Sequence, residues 1–285
     1  MSTWHGPPPP VLPRPGPLRA IVGGLRIGVL AAWLAVMTTL YALLKVTEPL
    51  FLGAQPRFLV MRLWARVSLR LIGLRRVVHG RPLGRGGAMV ANHSSWLDIM
   101  TLCSIGQVAF VAKAEVRSWP GIGFCARLMD ALFVERRAAA AAQQKRDMTE
   151  RIDRGQQLLF FPEGTSTDGL RVLPFKSALF AAFHQPGLAE EMEVQPVGLA
   201  YVPNESLPPA FYGWWGDMSL GAHIWAMVTR SFGGEVHLSF ADPVRPAAFA
   251  DRKALAVHCE TAVRDGWARF AALLEPEQPA AVPGE

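Results

Sequence analysis

The sequence predicts an α/β protein with a mostly parallel central sheet flanked by helices, preceded by an N-terminal membrane-associated helical pair. From residue 77 onward, short apolar runs alternate with longer stretches of helical character, which is typical of consecutive βαβ units. Before residue 77, an uncharged segment is followed by a basic amphipathic one. We therefore expect a disordered proline-rich leader over 1–17, membrane-associated helices over 18–76, an α/β domain over 77–274 and a flexible tail over 275–285.

The composition indicates a folded domain with some lipid-facing surface. The chain has 285 residues, of which 18% are charged, and its mean hydropathy is +0.20. A net charge of +6 suits either nucleic acid or an anionic membrane. The long uncharged segment favours the membrane, so we predict membrane lipids and no nucleic acid as partners. Three scattered cysteines without a CxxC pair indicate neither a disulfide framework nor a thiolate zinc site.

The first elements are a proline-rich stretch and an apolar segment. Residues 6–17, GPPPPVLPRPGP, cannot form a helix and are not a signal peptide, because the proline run separates Met1 from the apolar segment and no convincing small-residue cleavage site follows. Residues 27–44 carry no charge between Arg26 and Lys45. Their length is just enough to span a hydrocarbon core, so a span or a helix within one leaflet is predicted, with a buried core helix as the alternative.

The next element is a basic helix over residues 57–76. Arg62, Arg66 and Arg70 recur every four residues and form one stripe, with apolar side chains on the other faces. This pattern predicts a helix in the membrane interface, whose guanidinium groups meet lipid phosphates. An amphipathic helix packed on the domain is the alternative. The excess of basic residues after the segment 27–44 predicts a domain in the cytoplasm, at the cytoplasmic face of the bacterial inner membrane.

The remaining chain alternates strands and helices. Helical stretches are expected at 138–154, at 175–184 and at 251–274. Six apolar runs are expected to be strands, namely 87–91, 107–112, 131–134, 157–161, 194–202 and 235–240.

The first cluster that can carry chemistry follows the apolar run 87–91. His93 is suited to take a proton near neutral pH. Asp98, five residues later, could not share a face of a helix with His93, but it could reach the imidazole if His93 lies in the turn before the helix. The carboxylate would then hold the Nδ1 proton and leave Nε2 as the base. No second histidine or cysteine stands at ligand spacing, so we predict no metal and no cofactor.

The second cluster follows the run 157–161. Gly164 would allow close backbone approach to a ligand, while Glu163 and Thr165 supply an acceptor and a hydroxyl for polyol or phosphate oxygens. The alternative is an ordinary polar turn after a strand.

Together these clusters resemble the glycerolipid acyltransferase family, which includes the 1-acylglycerol-3-phosphate acyltransferases. That family carries Asn-His, four residues and Asp, and then Phe-Pro-Glu-Gly-Thr, in this order and at about this separation. The resemblance covers residues 85 to 205 or so. Further segments resemble family blocks, and these are 113–123, Leu132-Phe133-Val134-Glu135-Arg136, Leu173-Pro174-Phe175-Lys176 and Val194-Gln195-Pro196-Val197.

The resemblance implies roles for named residues. It implies that His93 and Asp98 are catalytic, that Glu163, Gly164, Thr165 and Lys176 bind the acceptor, and that Arg136 contacts its anionic head. The implied reaction moves a fatty acyl group from acyl-carrier protein or acyl-CoA to the free hydroxyl of 1-acyl-sn-glycerol-3-phosphate.

Two departures from the family pattern favour a different acceptor. Ser166 stands where members with a phosphate acceptor often have arginine, and serine cannot supply the planar donor fork that arginine offers. The glycine that usually opens the second block is also absent, with Met129-Asp130 in that region. The aromatic stretch 211–218, followed by His223, is similar to the lyso-ornithine lipid acyltransferase branch. A lyso-ornithine lipid acceptor is therefore the alternative prediction.

Other mechanisms and classes remain open at this level. Ser94 or Ser95 could form an acyl-enzyme, although no GxSxG elbow is present. A transacylase or hydrolase would share the same base, and an inactive membrane scaffold would have lost the chemistry.

Overall fold

A mixed sheet forms the centre of this computed structural model, which describes residues 4–274 apart from 114–116, 119–122, 124–125, 128, 130, 135–137 and 185–186. Seven strands belong to it within these ranges, in the order β1-β7-β6-β2-β5-β3-β4. All neighbours are parallel except β6 and β7. The strands are β1 (Leu74–His79), β2 (Ala88–Ala91), β3 (Val108–Lys113), β4 (Leu132–Val134), β5 (Gln157–Phe160), β6 (Val194–Val202) and β7 (Gly234–Phe240).

Helices cover both faces of the sheet, which confirms the predicted α/β class. Val90 and Leu158 point into a core formed with α4 and α7. Their neighbours in the same strands, Met89 and Leu159, point into a core on the other face with α1, α2 and α3, as the alternation of side chains in strands requires. The helices are α1 (Pro17–Val46), α2 (Arg57–Ile72), α3 (Leu97–Cys103), α4 (Ala138–Asp153), α5 (Leu188–Glu191), α6 (Leu220–Arg230) and α7 (Arg252–Ala271).

The N-terminal pair of helices combines a packed face with an exposed apolar one. Helix α1 has 30 residues and is long and apolar enough to cross a bilayer, and few of its side chains are buried. Helix α2 packs its apolar face on the sheet. On this side it is the amphipathic helix packed on the domain that was the alternative to a helix in the membrane interface. Its outward stripe consists of Leu59, Leu63, Arg66 and Arg70. The large apolar residues left exposed here are consistent with membrane association.

Several elements differ from the sequence-based expectations. Helix α2 ends at Ile72, because Gly73 adopts a left-handed conformation (φ 93°) and caps it, so the predicted end at residue 76 is wrong. Strand β1 and helix α6 were not predicted. The stretch 175–184 forms a 3₁₀ helix over Ser177–Ala182 rather than a regular helix. Helix α1 begins at Pro17, well before the charge-free segment 27–44.

The segment 4–16, expected to be a disordered leader, lies against the body of the protein. Leu12 packs on the apolar cluster that contains Met227. The carbonyl of Pro7 accepts from the indole of Trp215 at 3.0 Å, and that of Pro13 accepts from Arg230. Proline removes backbone donors but leaves carbonyls available, so such a segment can be held by donors from elsewhere. The predicted tail 275–285 lies outside the described residues.

Candidate active site

The two sequence clusters meet at the carboxyl ends of neighbouring strands. Strands β2 and β5 are parallel and in register from Ala88 opposite Leu158 to Val90 opposite Phe160. The chain leaves β2 into His93 and leaves β5 into Glu163, so both turns lie at the same edge of the sheet. This edge is where α/β proteins place their ligand sites.

His93 and Asp98 are in direct contact. His93 lies in the turn before α3, and Asp98 lies in the first turn of that helix. The imidazole Nδ1 is 2.7 Å from Asp98 Oδ2. This pairing fixes the tautomer with the proton on Nδ1, which leaves Nε2 as the basic nitrogen.

Asp98 is fully buried and surrounded by donors. Its Oδ2 also accepts from the backbone N–H of Ser94 at 2.7 Å and of Ser95 at 3.0 Å. Its Oδ1 accepts from the hydroxyl of Tyr201 at 2.8 Å. Burial raises the pKa of Tyr201 well above its ordinary value, and the charge of Asp98 adds to the shift, so the phenol stays protonated. Tyr201 was not predicted from the sequence, because it stands in an apolar strand.

The imidazole of His93 lies between this carboxylate and an aromatic ring. Phe161 stacks on it with ring centroids 4.2 Å apart and planes 13° from parallel. The His93 side chain is 23% exposed, and Nε2 has no hydrogen-bond partner among the described residues. The ring is thus oriented from two sides while its basic nitrogen remains available to a substrate.

Glu163 supports the His93 turn rather than facing a ligand. Its Oε1 accepts from the backbone N–H of His93 at 2.7 Å, and its Oε2 accepts from the N–H of Leu173 at 3.0 Å. The side chain is 1% exposed, which differs from the expectation that it binds the acceptor directly. Burial raises the pKa of Glu163 to about 8, while the two backbone donors act in the opposite direction.

The other predicted binding residues lie beside this turn or outside the described chain. Gly164 has a φ of 70°, and a side chain there would meet Lys176 Nζ. Thr165 Oγ1 accepts from the backbone N–H of Trp4 at 3.2 Å, a contact that no sequence pattern indicated. Lys176 is exposed. Arg136 lies outside the described residues.

The side-chain amide of Asn92 and the backbone N–H of Thr167 fix the path of the His93 turn. The amide of Asn92 donates to the carbonyl of Leu199 at 2.9 Å and accepts from its N–H at 2.7 Å. The backbone N–H of Thr167 donates to the carbonyl of His93 at 3.0 Å. The first motif is thereby tied to β6, and to the loop that follows the second motif.

The aromatic stretch 211–218 packs behind the same turn. The N–H of Trp214 donates to the carbonyl of Ser94 at 2.9 Å. The indole of Trp96 donates to His223 Nδ1 at 2.9 Å, and His223 Nε2 lies 3.3 Å from the carbonyl of Phe211. Burial lowers the pKa of His223 to about 4, so it is a neutral hydrogen-bonding residue at physiological pH.

The two serines beside His93 are not exposed to a substrate. Ser94 and Ser95 are both 0% exposed, and their backbone N–H groups are used by Asp98. This geometry gives no support to the acyl-enzyme alternative. Within the ranges that the structure describes, no group of three or more histidine, cysteine or acidic residues is arranged to hold a metal ion.

Comparison with known proteins places this geometry in a family. A family model described as Acyltransferase matches residues 75–200. A lyso-ornithine lipid O-acyltransferase of Rhodobacter capsulatus is 42% identical over 267 residues, which cover 92% of this chain and 96% of that protein. A lyso-ornithine lipid O-acyltransferase of Brucella abortus is 40% identical over 214 residues, or 70% of this chain and 78% of that protein.

The chain is also similar to proteins that are named for the acceptor 1-acyl-sn-glycerol-3-phosphate. A 1-acyl-sn-glycerol-3-phosphate acyltransferase of Neisseria meningitidis serogroup B is 31% identical over 189 residues, or 65% of this chain and 72% of that protein. The crystal structure of the 1-acyl-sn-glycerophosphate (LPA) acyltransferase PlsC from Thermotoga maritima has the same fold. It has a TM-score of 0.55 and 22% identity, and the match covers 88% of this chain and 98% of that one. The chain therefore belongs to the glycerolipid acyltransferase family and is an O-acyltransferase.

Proposed function

We propose that the protein is a lyso-ornithine lipid O-acyltransferase, which moves a fatty acyl group from acyl-carrier protein or acyl-CoA to the free hydroxyl of a lyso-ornithine lipid. The observation that carries this acceptor is the 42% identity to the Rhodobacter capsulatus enzyme of that name, which extends over 92% of the chain. Ser166 supports the same acceptor, because arginine often stands at that position in family members that bind phosphate. A lyso-ornithine lipid carries a carboxylate and an ammonium group but no phosphate.

In the proposed mechanism, His93 is the general base. Its Nε2 removes the proton from the acceptor hydroxyl while the oxygen attacks the thioester carbonyl. The carbon–sulfur bond then breaks, an ester forms, and the imidazolium returns the proton to the leaving thiolate. The contact of 2.7 Å between Nδ1 and Asp98 keeps the ring oriented and stabilises its cationic form. General-base catalysis of this kind contributes about 10²–10⁴ in rate.

The other site residues are proposed to position the two substrates. Glu163 holds the His93 turn through backbone N–H groups, while Gly164, Thr165 and Lys176 border the acceptor. The predicted contact of Arg136 with the anionic head remains part of this proposal. Since positioning of bound reactants can contribute as much to the rate as proton transfer, changes at these residues should lower activity without removing the base.

We further propose that the reaction takes place at the cytoplasmic face of the bacterial inner membrane. The exposed apolar side chains of α1 and the mixed outward stripe of α2, with two leucines and two arginines, support a site at the bilayer surface, where the acceptor need not be extracted into water.

Acylation of 1-acyl-sn-glycerol-3-phosphate, the first choice from sequence, is the second candidate. The Neisseria meningitidis relative supports it, with 31% identity over 65% of the chain. An acceptor screen decides between the two, with purified enzyme, each acyl donor and His93→Ala as the blank. Preference for lyso-ornithine lipid is expected. A preference for 1-acyl-sn-glycerol-3-phosphate overturns the first choice, and release of free fatty acid without any acceptor would indicate a hydrolase.

A further inference from the structure

Arg171 is held in one orientation on the loop that follows the second motif. Its Nε donates to Asp168 Oδ1 at 3.2 Å and its Nη2 donates to Asp168 Oδ2 at 2.8 Å. Asp168 is 2% exposed and also accepts from the backbone N–H of Leu170. The side-on pairing uses one edge of the guanidinium group and leaves the Nη1 edge unused. Since the Arg171 side chain is 46% exposed, that edge is accessible to a ligand.

The face of the same guanidinium group is covered by the N-terminal segment 4–16. Arg171 Cζ lies 5.4 Å from the centre of the Trp4 ring, which is within the range of a cation–π contact. The backbone of Trp4 is held by Thr165, and its ring lies 6.3 Å from that of Trp215. Arg171 is therefore fixed by a carboxylate at one edge and by an aromatic ring on one face.

This position lies beside the catalytic turn. The hydroxyl of Thr167 lies 3.3 Å from the carbonyl oxygen of His93 and 3.5 Å from that of Arg171. Lys176 Nζ lies beside Gly164, and Trp4 contacts both Thr165 and Arg171. Both cations therefore border the loop that is bonded to the His93 turn through Thr167.

The charge on this loop matches a monoanion. Asp168 neutralises Arg171, while Lys176 has no ion pair among the described residues, so these three side chains sum to one positive charge. A carboxylate carries one negative charge, whereas a phosphate monoester carries about 1.5 to 2 at neutral pH. The planar edge of a guanidinium group also matches the two oxygens of a carboxylate.

We propose that Arg171 binds the headgroup carboxylate of the acceptor through its Nη1 edge, and so replaces the arginine that phosphate-binding relatives carry at the position of Ser166. This inference rests on the proposed function, because it takes lyso-ornithine lipid as the acceptor. Arg171 is a specificity-determining residue in this scheme, and Asp168 and Trp4 position it.

The test compares lyso-ornithine lipid with its carboxyl methyl ester, which keeps the hydroxyl and the ammonium group but removes the anion. Steady-state kinetics are measured on the full-length enzyme for wild type, Arg171→Gln and Arg171→Lys. Arg75→Gln is the matched control, since Arg75 also pairs side-on, with Glu235, but on the far edge strand β1.

The expected change is confined to the KM for lyso-ornithine lipid. Arg171→Gln should raise the KM for lyso-ornithine lipid about tenfold or more and leave kcat and the KM of the donor unchanged. Wild type should show a similar rise with the methyl ester, and Arg171→Gln should add little to it. The KM of Arg171→Lys for lyso-ornithine lipid should lie between those of wild type and Arg171→Gln. Arg75→Gln should have the KM of wild type.

Other outcomes overturn the inference in distinguishable ways. If Arg171→Gln changes the KM of both acceptors equally, or of neither, the carboxylate subsite is wrong while the proposed function stands. If wild type does not acylate lyso-ornithine lipid at all, the proposed function fails and the subsite fails with it.

Discussion

Tyr201 donates its hydroxyl to Asp98 Oδ1 at 2.8 Å, on the carboxylate oxygen that His93 does not contact. Thr101 in α3 lies 3.1 Å from the same hydroxyl and is also buried. The carboxylate thus has a donor from β6 on one oxygen, and donors from the His93 side chain and the catalytic turn on the other. Such a saturated network holds the carboxylate in one orientation, which is what a residue that steers an imidazole requires.

Removing the Tyr201 hydroxyl should impair both the fold and the reaction. Tyr201→Phe leaves Asp98 Oδ1 buried without this donor, so we expect a loss of about 1–3 kcal/mol in the free energy of unfolding. We also expect kcat to fall by about tenfold, because the carboxylate gains freedom. Tyr212→Phe is the control, since Tyr212 is equally buried and bonded to Ser231 away from His93. It should lose stability but keep its kcat. A normal kcat in Tyr201→Phe would contradict the positioning role.

Replacing the proposed base should remove most of the rate. His93→Ala is expected to lower kcat by about 10²–10⁴ with little change in thermal stability, as the side chain is partly exposed. Asp98→Asn should lower both quantities, because the amide loses the negative charge and turns one of two accepting oxygens into a donor. Initial rates at saturating substrates, together with thermal unfolding, separate these effects. Near-normal turnover in His93→Ala would refute the base.

The parts of the site that could be predicted are those with a local signature. The strand-to-turn transitions before His93 and Glu163 follow from apolar runs that end in polar residues, and parallel strands bring such ends together. Tyr201 could not be recognised in the same way, because a tyrosine in an apolar strand usually packs in a core. Its role depends on the register of β6 beside β2, which no local pattern encodes.

The contacts of the segment 4–16 could not be predicted for a related reason. Proline content correctly excludes a helix there, but it says nothing about donors elsewhere in the fold. The indole of Trp215 and the guanidinium of Arg230 reach its carbonyls from more than 200 residues away along the chain. Strand β1 escaped prediction because its charged and apolar residues continue the pattern of α2 beyond the break at Gly73.

The buried Glu163 should make stability fall as the pH rises. Its pKa is raised from 4.5 to about 8 in the folded protein, so the folded state binds more protons than the unfolded state between these values. Linkage then predicts a loss of up to about 1.4 kcal/mol per pH unit in this window. Glu163→Gln should be less stable overall, because its amide mismatches one backbone N–H, but its stability should vary less with pH. Denaturation from pH 5 to 8 tests this, and equal slopes in both proteins would contradict it.

The buried His223 should make the stability of the fold fall as the pH is lowered, which is opposite to the effect of Glu163. Its pKa falls from 6.5 to about 4 on folding, so the unfolded state binds more protons in that window and stability is lost as the pH falls through it. His223→Phe should remove this dependence but leave the Trp96 indole without its acceptor, at a cost of about 1–3 kcal/mol. His223→Gln retains an acceptor and should recover part of that loss. Unfolding measured from pH 4 to 7 distinguishes the variants, and an unchanged pH dependence in His223→Phe would refute the assignment.

Close packing of the aromatic stretch behind the catalytic turn depends on Gly213. A methyl group at this position would lie 2.5 Å from the carbonyl oxygen of Asp168 and 2.7 Å from its carbonyl carbon. Backbone atoms cannot yield as a side-chain end can, so Gly213→Ala should push the stretch away from the loop that carries Asp168 and strain the neighbouring Trp214 contact to Ser94. We expect a loss of about 1–3 kcal/mol in stability and a clear fall in activity.

Gly221→Ala is the matched control for this change. Gly221 lies in the first turn of α6, where a methyl group meets nothing within 4 Å. Alanine is the better helix former, so this variant should be unchanged or more stable by about 0.5–1 kcal/mol, with normal activity. Thermal unfolding and initial rates on both variants complete the test. If Gly213→Ala behaves like Gly221→Ala, the aromatic stretch does not support the catalytic turn, because the turn would then tolerate displacement of the backbone that packs against it.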